Sequence, residues 1–245
     1  MNNTLSIVTA CQDEEEPIKW YLESCAHAAE HIPGLKEVIL IDGGSKDNTI
    51  DVILSYQDRI PLKLIQRPWD FTRAQQNYAL EQATGDFVFG PDADMTWTTN
   101  FSDVFNSGLF QQGAYWDFPM IFTVRDAYHY FKNWQQGINM RLWKRGPKWG
   151  EHRKYHVQLE GQTQGIPVCQ SVVIFENSCR ITNDAALLNR GERRQICIPD
   201  MQAEGAAPGS PTLFLEHAHV PDSEVAPLPE HFTSLSLILP STNNY

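Results

Sequence analysis

The feature that most constrains this chain is a strand–helix–strand rhythm across residues 4–94, with short links between segments. Residues 4–10 (TLSIVTA) are apolar and β-branched, as in a strand buried on both faces. Ile18, Tyr21, Leu22, Cys25, Ala28, Ala29 and Ile32 follow at helical spacing. Acidic residues 13–16 before them suit a helix N-terminus, and Pro33-Gly34 closes the stripe. A second strand, 36–42 (KEVILID), runs into the turn GGSKDN and a short helix from about Asn48. Residues 61–66 predict a third strand. Phe71 to Ala83 predicts a helix, capped by Asp70 or Thr72 and ended by Gly85. The strand DFVFG then delivers Pro91-Asp92-Ala93-Asp94. Such alternation builds a mostly parallel central sheet flanked by helices, an α/β fold. Ligands of these sheets sit beyond the carboxyl ends of the strands, where Asp42, Asp92 and Asp94 all fall.

The second half reads differently. Residues 113–124 and 138–144 predict strands, and the stretch 115–149 holds Tyr115, Trp116, Tyr128, Tyr130, Trp134, Trp143 and Trp149. Beyond residue 200 the chain is rich in Pro and Gly, and only 212–219 suggests regular structure. There is no internal repeat. With 245 residues, 42 % of them hydrophobic, the chain can bury a core as a single domain. Its formal net charge of −11 argues against a basic face made for nucleic acid or anionic lipid. No run approaches the roughly 18 apolar residues of a membrane span, and the start lacks a signal-peptide core, so a cytoplasmic protein is expected. The five cysteines are odd in number and form no CxxC pair, which reads as reduced, buried thiols and not a zinc site.

Asp92-Ala93-Asp94 is the sharpest chemical signal. On an extended segment residues i and i+2 face the same way, so both carboxylates can converge on one cation. Oxygen donors without cysteine favour a hard ion, Mg²⁺ or Mn²⁺, whose open positions accept phosphate oxygens. The second signal is ILIDGGSKDNT, a strand ending in Asp42 followed by two glycines that let a ligand approach the backbone. Asp42 there can either accept from a nucleobase N–H or ribose hydroxyl, or cap its own turn. The sequence has no GxGxxG, GxxxxGK[ST] or HExxH, so dinucleotide, P-loop and zincin chemistries lack support.

In this order and spacing, LSIVTACQDEEE (5–16), VILIDGGSKDNT (38–49) and RAQQNYALEQATGDFVFGPDADM (73–95) resemble the family 2 glycosyltransferases of the GT-A fold. The resemblance implies a single GT-A domain over 1–245. Residues 1–97 would bind the nucleotide-sugar, 98–200 would form an acceptor-side half, and 201–245 a tail. It further implies a metal-dependent, inverting transfer of a sugar from a nucleotide-diphosphate sugar to an acceptor hydroxyl, with Mn²⁺ or Mg²⁺ as cofactor. By the same resemblance Thr9, Ala10 and the loop up to Glu14 would line the base, and Asp42 and Gly43 the base and ribose. Arg73 and Asn77 would face the nucleotide, Asp92 and Ala93 would contact the donor, and Asp92 and Asp94 would hold the metal. Many relatives carry a second Asp where this chain has Gly43, which weakens the case for uridine; a UDP-sugar is still favoured and a GDP-sugar remains open.

The acceptor half resembles the family only in outline. A base for the acceptor hydroxyl is sought at Glu151, ahead of Glu160, because KWGEHRKYH is similar to the acidic acceptor-side motif of related transferases. His156 and His219 are candidate further metal ligands, and Trp149 a candidate platform for an acceptor sugar. Glycan, lipid-carrier, protein and small-molecule acceptors all stay open; nucleic acid is the acceptor the charge disfavours. Three rival readings stand beside this one. A phosphatase using the DxDx[TV]-like string 92–96 lacks a later Asp-Asp pair, and a nucleotidyltransferase would replace the acidic loop 13–16 with a basic one. A non-catalytic nucleotide-sugar binder would keep the metal site without a base.

Overall fold

The computed structural model describes residues 3–70, 72–124, 129–131, 137–150, 159, 166–179 and 225–227. Strands β1 (Leu5–Cys11), β2 (Leu35–Asp42), β3 (Leu62–Gln66) and β4 (Phe87–Phe89) alternate with helices α1 (Ile18–His31), α2 (Thr49–Leu54) and α3 (Thr72–Glu81). These elements stand where the periodicity predicts them. Two short strands and a helix follow: β5 (Met95–Trp97), α4 (Phe101–Asn106) and, further on, β7 (His129–Phe131) beside the long β6 (Tyr115–Val124). Strands β8 (Gly137–Lys144), β9 (Ile174–Cys179) and β10 (Val225–Pro227) complete a ten-stranded sheet.

The sheet runs β10-β7-β6-β8-β4-β1-β2-β3, with β9 joining β5 to β6. Strands β1 to β4 are mutually parallel where they pair, in the order β3-β2-β1-β4. Strand β8 then pairs antiparallel with β4 on one side and with β6 on the other. The chain therefore runs outward from β1 through β2 to β3 and then crosses back through α3 to β4, on the other side of β1. That is the switch point at which α/β sheets open a crevice beyond their strand ends.

Both faces are covered, which is why the strands are apolar throughout and not alternating. Leu5, Ile7, Val38 and Leu40 face α1, α2 and α4 in the larger core. Val8, Ile39, Ile41 and Val88 face α3, with Ala79, Ala83 and Trp143. Phe89, Trp97, Phe101, Phe110 and Phe118 form an edge-and-stack aromatic cluster that ties the parallel half to β6. Of the seven aromatics noted in 115–149, Trp116 and Trp143 are buried in the core, and Tyr128 and Trp134 lie outside the described residues. Cys11, Cys25 and Cys169 are buried, as expected, and burial pushes the Cys25 thiol far up.

Two expectations are corrected here. Residues 13–16 do not supply the first turn of α1, which begins at Ile18 and has no acidic residue there. They lace instead onto the β2–α2 loop, where the Asp13 carboxylate accepts from Lys46 N–H (2.7 Å) and the Glu15 carboxylate from Asn48 Nδ2 (3.0 Å). In return Asp13 N–H donates to the Ser45 hydroxyl and Glu14 N–H to the Thr49 hydroxyl. In the tail, Val225–Pro227 pairs with β7 although nothing in its sequence singles it out; residues 212–219 lie outside those described.

Candidate active site

The crevice at the switch point is lined by the end of β1 (Val8, Thr9, Ala10), by Gln76, Ala79 and Leu80 of α3, and by Gly90-Pro91-Asp92 after β4. Trp143 and Trp149 close it. Its inner space of about 20 Å³ holds little more than one water. The Thr9 hydroxyl stitches its floor, donating to the Pro91 carbonyl (2.8 Å) and sharing a hydrogen bond with the Tyr21 hydroxyl (2.9 Å). Burial raises the Tyr21 phenol well above its usual range, so it stays protonated.

Asp92, Ala93 and Asp94 do not form an extended segment. The Asp92 carbonyl accepts from Met95 N–H (3.0 Å), closing a turn over 92–95. The pleat that would align residues i and i+2 is absent, and the two carboxylates differ in surroundings. The Asp92 side chain is 49 % exposed, whereas residue Asp94 is 9 % exposed. Ala93 is buried in the apolar core and presents no face to a donor. What aims Asp92 is Arg141 on β8, whose side chain is 9 % exposed. Its guanidinium donates to Asp92 Oδ2 (2.8 Å) and to the Gly90 carbonyl (3.0 Å). Arg141 was no candidate in the sequence, although a charged residue between apolar neighbours in MRLWK is a signal for a buried partner.

As donors to a cation, Asp92 and Asp94 fit a hard divalent ion by chemistry, being carboxylate oxygens, but only Asp92 lines the crevice, and Asp94, two residues on, is buried. One Asp92 oxygen is shared with Arg141, and no group of three His, Cys, Asp or Glu side chains gathers among the described residues. Glu151, Glu160, His156 and His219 all lie outside the described residues. Arg73 is on α3, but its side chain is likewise outside them.

Asp42 resolves to the turn-capping alternative. It is fully buried, and its carboxylate accepts from Gly44 N–H (3.0 Å), Ser45 N–H (3.2 Å) and the Ser45 hydroxyl. Gly43 links three strand ends, donating to the Cys11 carbonyl (2.8 Å) and accepting from Trp69 N–H (2.9 Å). A Cβ at Gly43 would fall 2.6 Å from Trp69 Cε3, so the Trp69 ring takes the space a second aspartate would need. Asn77 is also committed: its amide donates to the Trp149 carbonyl (3.0 Å) and accepts from Trp149 N–H (2.8 Å). It holds the Trp149 backbone in place from α3. Trp149 packs edge-on against Trp143, with centroids 5.7 Å apart, at the mouth of the crevice. Of the expected donor and acceptor residues, Thr9, Ala10, Asp92 and Trp149 therefore meet at one place.

Solved structures with the same architecture include S. aureus TarS 1-349 in complex with UDP-GlcNAc (TM-score 0.53, 14 % identity, 86 % of this chain and 70 % of that one). Another is the Pyrobaculum calidifontis mannosyltransferase PcManGT in complex with GDP-Man and Mn²⁺ (TM-score 0.54, 14 % identity, 89 % and 69 %). The fold is that of the GT-A glycosyltransferases. Within it, residues 6–105 match the model of glycosyl transferase family 2. A curated relative is the lipopolysaccharide core biosynthesis glycosyltransferase LpsC of Rhizobium meliloti (strain 1021), 33 % identical over 91 residues, which are 37 % of this chain. The aligned stretch spans 31 % of that relative's length. Among the described residues no helix is long and apolar enough to cross a membrane.

Proposed function

We propose that the protein moves a sugar from a nucleotide-diphosphate sugar to an acceptor hydroxyl, with inversion at the anomeric carbon. The observation that supports this reading is Asp92, half-exposed in the lining of the switch-point crevice and inside the family-matched segment, with Asp94 two residues further on. When bound there, Mn²⁺ or Mg²⁺ would neutralise charge on the departing diphosphate. Asp92 and Asp94 would hold it, with His156 or His219 as a further ligand. Arg141 keeps the Asp92 carboxylate at the lip, and Thr9 keeps the Pro91 backbone against β1. Trp149 offers a ring to the acceptor, and Glu151, ahead of Glu160, takes the proton from the attacking hydroxyl.

UDP-sugars lead and GDP-sugars follow as donors, since relatives of this fold are seen with UDP-GlcNAc and with GDP-Man. Among acceptors, the resemblance to LpsC favours a cell-envelope glycan over a lipid carrier, protein or small molecule. The three stretches 1–97, 98–200 and 201–245 are read as one domain acting in the cytoplasm. The test is a thermal-shift panel of nucleoside diphosphates with Mn²⁺ and with chelator. A metal-dependent shift by one diphosphate, of about 2.7 kcal/mol at 100 times its Kd, is expected. No shift with any diphosphate in either condition overturns the reading.

A further inference from the structure

Two side chains that line the crevice each carry a buried polar atom with no hydrogen-bond partner among the described residues: the Trp143 indole N–H and the Gln76 side-chain oxygen. Trp143 is 1 % exposed, and both residues line the space beside Asp92. The rest of the crevice is closely fitted. A Cβ at Gly90 would lie 2.6 Å from Trp143 Cη2, so the ring is laid directly over the backbone that leads into Asp92. On β8, Arg141 and Trp143 alternate with Leu142; Leu142 enters the larger core, and the other two turn toward the α3 side. One strand thus supplies the group that aims Asp92 and the unused donor next to it.

The two atoms are complementary in kind. An indole N–H only donates, and an amide oxygen only accepts. A phosphate would satisfy the first and leave the second; a metal ion would do the reverse. A hydroxyl accepts from one and donates to the other. We propose that Trp143 and Gln76 form a hydroxyl-recognising subsite, and that its ligand is a hydroxyl of the sugar carried on the nucleotide diphosphate. The sugar is the commitment because it hangs from the diphosphate that Asp92 faces. This rests on the function proposed above. The small crevice admits a single such group, so the subsite reads one position of the sugar ring and discriminates between sugars there.

The experiment is indole N–H spectroscopy on ¹⁵N-tryptophan-labelled full-length protein with diamagnetic Mg²⁺, the Trp143 signal being assigned with Trp143→Phe. UDP, UDP-GlcNAc, UDP-glucose, GDP and GDP-mannose are the probes. The Trp143 signal is expected to move with a sugar nucleotide and to stay in place with the matching diphosphate. Gln76→Leu is expected to weaken that sugar nucleotide about tenfold and leave the diphosphate unchanged; it serves if Trp143→Phe is too unstable to titrate. A Trp143 signal that moves equally with the diphosphate, or that ignores every sugar nucleotide that binds, overturns the subsite alone. If neither diphosphates nor sugar nucleotides move any indole signal or shift the melting transition, the function reading falls and takes the subsite with it.

Discussion

Two loops leave the sheet on either side of β1, each with an aspartate at a strand's carboxyl end, and they use it in opposite ways. In the β2–α2 loop the Asp42 carboxylate is filled from within by Gly44 and Ser45 and sees no solvent. In the β4–β5 loop Asp92 is half-exposed and is oriented from outside, by an arginine on β8 that is 49 positions away in sequence. A carboxylate saturated by its own turn holds a loop in shape. One steered by a distant partner keeps an edge open, as the proposed function requires of a ligand-facing group. Sequence motif alone does not separate the two, because both are an aspartate beside small residues after an apolar strand.

The largest effect that would sharpen this contrast is expected on the ligand-facing side. Asp94→Ala should lower metal-dependent sugar transfer roughly 1000-fold, the loss of several kcal/mol of charge stabilisation, while the protein still melts cooperatively. Unchanged turnover in that variant would break the assignment of the site. On the other loop, Asp42→Ala strips the acceptor from three donors in a buried turn and should cost about 3 kcal/mol in urea denaturation. Its diphosphate affinity, measured calorimetrically on the folded fraction, should change less than tenfold. A larger fall in affinity than in stability would return Asp42 to the ligand.

Arg141 lies between these extremes. Arg141→Met should weaken diphosphate binding about tenfold, as loss of a partner that orients a metal ligand does. Arg141→Lys should recover only part of it, since one ammonium cannot serve both Asp92 and the Gly90 carbonyl in the fork geometry of a guanidinium. Equal affinity in all three proteins would show that Asp92 needs no outside hold.

The smallest effect is a control on a carboxylate remote from both loops. Glu23 is held below its ordinary range by hydrogen bonds from Arg59, against a smaller opposing effect of burial, with Tyr56 adding a second donor. A carboxylate whose folded-state pKa is depressed contributes stability above its unfolded value, near 4.3, and loses it as pH falls through the folded value. Glu23→Gln should therefore be less stable than the parent at pH 7 by under about 1 kcal/mol, the pair being partly exposed. The difference should close in urea titrations below about pH 4. A gap that persists at pH 3 would mean that packing, and not charge, is what Glu23 supplies.

The parallel half was legible because its code is local. Strands buried on both faces appear as unbroken apolar runs, and α1 as a 3.6-residue stripe; both read directly from Leu5 to Phe89. The three-residue β5 and β7 and the six-residue α4 are too short to show a period, and their positions follow from partners elsewhere in the sheet. The site divided the same way. Asp92 and Asp94 were visible as a motif, but their turn was not, because an i, i+2 rule assumes an extended chain and the strand had ended at Phe89. Arg141 went unnoticed, and Trp143 was visible only as one aromatic among seven, because their positions beside Gly90 and Asp92 depend on β8 lying against β4.

By itself the sequence determined an α/β chain with its acidic motif at a strand end, because hydrophobic period and turn residues act over a few positions; the GT-A type came from the resemblance of three motifs and not from that period. Only the tertiary structure decided which aspartate is spent on its own turn, that Trp69 fills the space beside Gly43, and that Asn77 serves Trp149. Hydrogen-bond capacity and free volume at any one residue are set by neighbours brought in from distant strands, and no local pattern records them.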